Sequence, residues 1–200
     1  MSTPLVSQQD NLFDFFHSAV DTAVHSKGAN VSEDGVFYLS NLLVERGRAS
    51  ETDLPQTLVE LQIRAREEGG AAAVGAWREL GDRALYMSGF FRASLHRKNV
   101  SVEYYLSMGS AAYQQLATAL RWSGAGGGGG FEHIYEELAG QFETCSAILQ
   151  RVRDAVRAHS NSEILKLYEQ WLATGDPLVA DRLSKLGVVP MRPGDSEGGC

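Results

Sequence analysis

The chain has 200 residues, 44% of them hydrophobic and 22% charged, the proportions of an ordinary globular domain rather than a disordered chain. Lys+Arg 18 against Asp+Glu 25 leaves a formal net charge of −7, which argues against a nucleic-acid binder. The two cysteines, Cys145 and Cys200, are too few for a disulfide framework or a four-cysteine zinc site.

Helical periodicity runs through the chain and no segment alternates as a strand would. The first helix is expected from about Gln8 to Ser26, with Leu12, Phe13, Phe16, Ala19, Val20 and Ala23 on its apolar side and Gly28 as its stop. Ser32 is the N-cap of a second helix ending near Gly47, with Glu33 and Asp34 in the first turn, where the helix dipole favours anions. Pro55 suits the first turn of a third helix, which reaches about Glu68 before Gly69-Gly70 breaks the chain. A fourth spans about Ala72 to Leu95, and Asn99 or Ser101 opens a fifth that runs to about Trp122. The run Gly124-Ala-Gly-Gly-Gly-Gly-Gly130 reads as a flexible connector. It lacks the Lys-Ser/Thr end of a phosphate loop and follows a helix instead of a strand. A long sixth helix follows from Phe131 to about Ala158. Ser160-Asn-Ser-Glu163 has the form of a capping box opening a seventh. Asp176-Pro177 opens a short last helix, ended by Gly187. The expected architecture is all-α: one bundle of seven or eight helices over residues 1–189, with a disordered tail from Pro190 to Cys200.

The N-terminus MSTPLVSQQD has neither the basic nor the apolar region of a secretory signal, and no apolar window approaches the roughly 20 residues of a membrane span. The expectation is a cytoplasmic protein with no membrane association.

Four features could carry chemistry. Asp14, His17, Asp21 and His25 share one face of the first helix, and His17, Asp21 and His25 form a weak candidate metal set. That stripe lies opposite the apolar one, so a solvated face is the better reading of it. His133 with Glu132, Glu136 and Glu137 could serve as an acid–base cluster, but acids at a helix start also answer the dipole. Cys145 falls in an apolar rhythm and reads as a small buried hydrophobe, while Cys200 has no reactive motif about it. No G-x-S-x-G or Ser-x-x-Lys nucleophile motif is present, and no cofactor is expected.

The fourth feature is the aromatic density of the fourth and fifth helices. Asp82, Arg83, Tyr86, Phe90, Tyr104, Tyr105 and Tyr113 would line a ligand pocket between them, if these are not simply core volume. Four- and three-residue steps link Phe131, Tyr135, Leu138, Phe142, Cys145, Leu149, Val152 and Val156 on the sixth helix, and Tyr135, Leu138, Phe142, Leu149 and Val152 of that seam offer a homodimer contact, or ordinary bundle packing.

The stretches Gly81-Asp-Arg-Ala-Leu-Tyr-Met-Ser-Gly-Phe-Phe91, Val102-Glu-Tyr-Tyr105, Met108-Gly-Ser-Ala-Ala-Tyr113 and Leu165-Lys-Leu-Tyr-Glu-Gln-Trp-Leu-Ala-Thr-Gly175, with the ending Leu186-Gly-Val-Val-Pro190, resemble a group of uncharacterised bacterial all-helical proteins. The resemblance implies a helical fold and carries no activity. The functional expectation is a non-catalytic interaction or regulatory module with an unknown protein partner and a homodimer as one option. The alternative is a small-molecule binding protein or enzyme built on the tyrosine pocket.

Overall fold

A computed structural model describes residues 8–47, 57–97, 101–123, 131–186 and 188. The Gly-rich connector, the tail from Pro190, Pro55, Gly187 and Cys200 lie outside the described residues. Every regular element among those described is helical: α1 (Gln8–Lys27), α2 (Glu33–Gly47), α3 (Leu58–Glu67), α4 (Gly70–Gly89), α5 (Arg92–Arg97), α6 (Val102–Ser123), α7 (Phe131–Gly140), α8 (Phe142–Thr174) and α9 (Pro177–Lys185). No helix among them is long and apolar enough to cross a membrane.

Helix boundaries follow local chemistry where the chain punctuates itself. Gly28 takes φ 61°, and the Ala29 amide reaches back to the Val24 carbonyl at 3.1 Å, a six-residue closure that satisfies a terminal carbonyl of α1. Ser32 caps α2 by accepting from the Gly35 amide at 3.0 Å. α3 opens on Thr57, whose hydroxyl accepts from the Glu60 amide while the Glu60 carboxylate accepts from the Thr57 amide. Asp176 caps α9, with Pro177 in its first turn.

Three expected boundaries differ. The fourth predicted helix is two: α4 stops at Gly89, the chain turns at Phe90-Phe91, and α5 follows as a separate short helix. Ser88 and Gly89 are poor helix formers at that point. The sixth predicted helix is interrupted at Gln141, although the Gln141 amide still bonds the Glu137 carbonyl and the Cys145 amide bonds the Gln141 carbonyl, both at 2.9 Å. The hydrogen bonding of the two helices therefore continues across the interruption. The capping box at Ser160–Glu163 does not start a helix. α8 runs through it to Thr174, and Glu163 pairs with His159 at 3.2 Å on the preceding turn rather than reaching back to Ser160.

The chain divides into two compact units, Met1–Arg153 and Asp154–Cys200. In the first, α4 and α6 pack closely, with α3 against α4, α7 against α6 and α1 against α2. Leu39, Leu43, Leu61, Leu80, Leu85, Leu116, Ile148 and Leu149 are fully buried there. Beside them Met87, Leu95 and Val102 gather α4, α5 and the start of α6 under Phe91, Tyr105 and Leu106. The second unit is smaller. Trp171, Val179 and Leu183 form its core, with Ile164, Leu167, Tyr168, Ala180 and Val188 packed against them.

Candidate functional site

The polar centre of the first unit is Asp82. Arg78 and Asp82 are one helical turn apart on α4 and so share a face. Gly81, between them, leaves no Cβ in the way of Tyr113 on α6: a Cβ there would fall 2.4 Å from the Tyr113 ring. The Tyr113 ring therefore lies directly on α4, and its hydroxyl donates to Asp82 Oδ1 at 2.8 Å. Tyr38, from α2, donates to the same oxygen at 2.5 Å. Arg78 Nε lies 3.5 Å from Oδ2, and its guanidinium sits over the Tyr38 ring, 5.9 Å from the centroid. Tyr135 of α7 closes the group edge-on to Tyr38, with centroids 5.4 Å apart, and tilted on Tyr113 at 5.7 Å.

Burial sets the titration behaviour of this group. It pushes the Asp82 carboxyl above its ordinary range, while the hydrogen bonds from Tyr38 and Tyr113 and the charges of Arg78 and Arg46 pull the other way without prevailing. Tyr38 and Tyr113 are pushed well above the usual phenol range, first by burial and then by the Asp82 charge, so both hydroxyls are donors at neutral pH. Glu79, one turn before Arg83, bridges Arg46 of α2 at 2.6 Å and Arg83 at 2.9 Å. Burial opposes its charge, and the two guanidiniums outweigh that and hold it below the usual carboxylate range.

Above Asp82 a cavity of about 430 Å³ opens among α2, α4 and α7. Arg78, Asp82 and Tyr38 form part of its wall, Tyr135, Ile134, Leu42, Phe37 and Phe131 give its aromatic and apolar side, and Asp34 and Glu45 stand at it as further carboxylates. Phe37 and Phe131 are both more than half exposed, so the opening is aromatic.

The residues of the pocket expected between the fourth and fifth predicted helices, now α4 and α6, are not all brought to one point among the described residues. Of its tyrosines only Tyr113 reaches Asp82. Tyr86 stacks on Phe90, with centroids 5.3 Å apart and 12° between planes. Tyr104 is exposed at 38% and meets Tyr105 edge-on, while Tyr105 packs into the Met87–Leu95–Val102 cluster. Arg83 is engaged with Glu79. Tyr86 stands on α4 and Tyr104, Tyr105 and Tyr113 on α6, and the four are spread between an aromatic stack, the helix surface, the Met87 cluster and Asp82.

The residues of the expected dimer seam are largely buried. Leu138, Phe142, Leu149 and Val152 are 0%, 3%, 0% and 1% exposed, and Tyr135 packs on Tyr38 and Tyr113. These side chains are committed to the chain's own interior, because the stripe that would meet a second copy meets α4 and α6 instead. Phe142, for example, rests on Gly109 of α6 and faces Tyr113, 5.7 Å between centroids.

His17, Asp21 and His25 line an open depression with the turn that follows α1, and among the described residues no group of histidine, cysteine and acid side chains is set to hold a metal ion. His25 Nδ1 lies 2.9 Å from the Asp21 carbonyl oxygen, and both side chains are more than half exposed. The acids about His133 are dispersed to separate structural tasks. Glu137 binds the start of α2, Glu136 pairs with Arg121, and His133 lies 3.5 Å from Asp34. Cys145 is buried, and burial pushes its thiol up to about 12, the behaviour of a structural cysteine.

Tyr38, Arg78 and Phe37 were not singled out in the sequence, and Tyr135 was assigned to a seam. The one local signal was the Arg78–Asp82 spacing on a helix face; Tyr38 lies 44 residues from its acceptor and no local pattern joins them. Compared with protein families, curated proteins and solved structures, the chain matches none.

Proposed function

We propose that the chain is a small-molecule binding protein whose site is the cavity among α2, α4 and α7, and that it binds its ligand without transforming it. The observation that supports this is the cavity itself. At about 430 Å³ it lies within the roughly 300–1,000 Å³ typical of ligand pockets, and it joins aromatic walls to a few placed polar groups. The polar groups are preorganised: Tyr38 and Tyr113 fix Asp82 Oδ1, so ligand binding need not order them. The same bonds argue for binding over chemistry. The phenols are held protonated and their protons are engaged by Asp82, which leaves neither as a base. The interaction-module expectation has less behind it, since its proposed seam is buried and exposed apolar residues such as Ile63 and Trp122 lie on different helices.

A fragment screen read by amide chemical shifts tests the proposal. Hits are expected to move Phe37, Tyr38, Asn41 and Tyr135 together, and Asn41→Trp, which fills the cavity from the half-buried Asn41, is expected to abolish them. Fragments that shift other regions only, or that bind the Asn41→Trp protein equally well, would overturn it.

A further inference from the structure

We propose that the ligand is an organic cation, an ammonium group carried on an aryl or alkyl body; this rests on the reading of the cavity as a binding site. The chain already places a cation of its own at this point. The Arg78 guanidinium lies over the face of Tyr38, with Asp82 Oδ2 at 3.5 Å and Glu45 Oε2 at 4.0 Å. Both ionic contacts are longer than a good charge-assisted hydrogen bond of about 2.7–2.9 Å, and the Arg78 side chain is 48% exposed. Arg78 therefore marks a place suited to positive charge without filling it tightly.

The acceptor beneath is better defined than its partner. The Asp82 side chain is 6% exposed, and its Oδ1 is fixed by two phenol hydroxyls at 2.5 and 2.8 Å. Among the described residues, Oδ2 has the long Arg78 contact alone of the ion pairs and hydrogen bonds at this carboxylate. An ammonium ion has three donors in a compact head and can approach Oδ2 more closely than the Nε of a side chain anchored on the same helix. Aromatic rings strengthen the preference, since Phe37, Tyr38, Phe131 and Tyr135 all line the cavity, the Tyr38 ring already carries a cation over its face, and aromatic faces attract positive charge. Charge balance points the same way. Among the described lining residues, Asp34 and Glu45 are two exposed carboxylates beside the buried Asp82, against the guanidinium of Arg78, so an anionic ligand would meet repulsion at the opening. The apolar body of the ligand has Leu42 and Ile134 to cover it.

The test is calorimetric titration of the full chain at about pH 8, where the alkylammonium and phenylpropionate probes are both charged. Three probes share one body: 2-phenylethylammonium, 2-phenylethanol and 3-phenylpropionate. The ammonium is expected to bind about tenfold more tightly than the alcohol, with the carboxylate weakest. Arg78→Gln supplies the sign. Removing the resident cation is expected to strengthen ammonium binding about threefold, whereas a site built for anions would lose affinity. Glu45→Gln, at an exposed position, is expected to weaken the ammonium severalfold without disturbing the fold. Equal binding of alcohol and ammonium, or preferred binding of the carboxylate with loss in Arg78→Gln, overturns the ligand class and leaves the cavity reading standing. The class also falls alone if the fragment screen finds cavity ligands and none of the three probes binds. If the screen finds none either, both readings fall.

Discussion

Gly81 and Gly109 are the residues on which the centre of the first unit depends most directly. A Cβ at Gly81 would stand 2.4 Å from the Tyr113 ring, and one at Gly109 would stand 2.1 Å from Phe142 and 2.8 Å from the Ala84 Cβ. The rings are held on other sides by Tyr38, Tyr135 and each other, so they cannot simply withdraw. Gly81→Ala and Gly109→Ala are each expected to cost about 1–3 kcal/mol by urea unfolding, the range for overpacked cores. Gly75→Ala is the control: it lies in the same helix as Gly81, no atom comes within 4 Å of its added Cβ, and a gain of about 0.5–1 kcal/mol is expected. Asp82 carries a second expectation. Its carboxyl is raised in the folded state, chiefly by burial, so between the unfolded and folded values the native chain binds more protons than the unfolded one. Stability from this group is greatest below the ordinary carboxylate value and declines as pH rises through the folded value. Asp82→Asn keeps an oxygen to accept from Tyr38 and Tyr113 but cannot ionise. Its urea midpoint relative to wild type is therefore expected to improve steadily as pH is raised from about 4 towards 7; a constant difference would show that Asp82 does not titrate in that window.

Between elements, α7 fastens the start of α2. Glu137 Oε1 accepts from the Ser32 amide at 2.7 Å and Oε2 from the Ser32 hydroxyl, while that hydroxyl accepts from the Gly35 amide. Gln141 adds a bond to the Asn30 carbonyl at 2.9 Å. One serine thus serves as a helix cap and as the anchor for another helix, which places α2 and α7 on opposite sides of the cavity. Ser32→Ala and Glu137→Ala are each expected to cost about 0.5–2 kcal/mol, and the double variant clearly less than their sum, because both remove the same linkage. Additive losses in thermal unfolding would mean that the two groups act separately. The Ser32 cap was legible in the sequence, as were Gly28 and Asp176-Pro177, because each acts on backbone within a few residues. The capping box at Ser160–Glu163 misleads for a related reason: a spacing of three residues also suits the interior of a helix, and nothing local distinguishes the two cases. The site was half legible. Asp82 and Tyr113 stand out by their surroundings, but Tyr38 and Tyr135 join them only through the packing of α2 and α7, which no short-range pattern encodes. Arg78 was masked by its ordinariness, as a charged residue on an amphipathic helix.

At the scale of the molecule, buried apolar surface is shared unevenly between the two compact units. The first has a core drawn from α1 to α7 and the start of α8, with many side chains at or near zero exposure. Among its described residues the second has three that are buried, Trp171, Val179 and Leu183, and leaves Leu165, Leu178 and Leu186 each more than half exposed. A segment of this size buries too little apolar surface to offset its conformational entropy by a wide margin. The second unit is therefore expected to open at a lower free energy than the first. In native-state hydrogen exchange, amides of α9 and of α8 beyond Asp154 should exchange well before those of α4 and α6. Leu183→Ala sharpens the test. Truncating a fully buried leucine typically costs about 2–5 kcal/mol, more than so small a core can absorb. Protection across residues 154–186 is expected to collapse together in that variant, with α4 and α6 unchanged and the cavity still able to bind. If protection in α4 fell in step with α9, the two units would share one unfolding transition, and the division at Arg153 would describe packing density without describing stability.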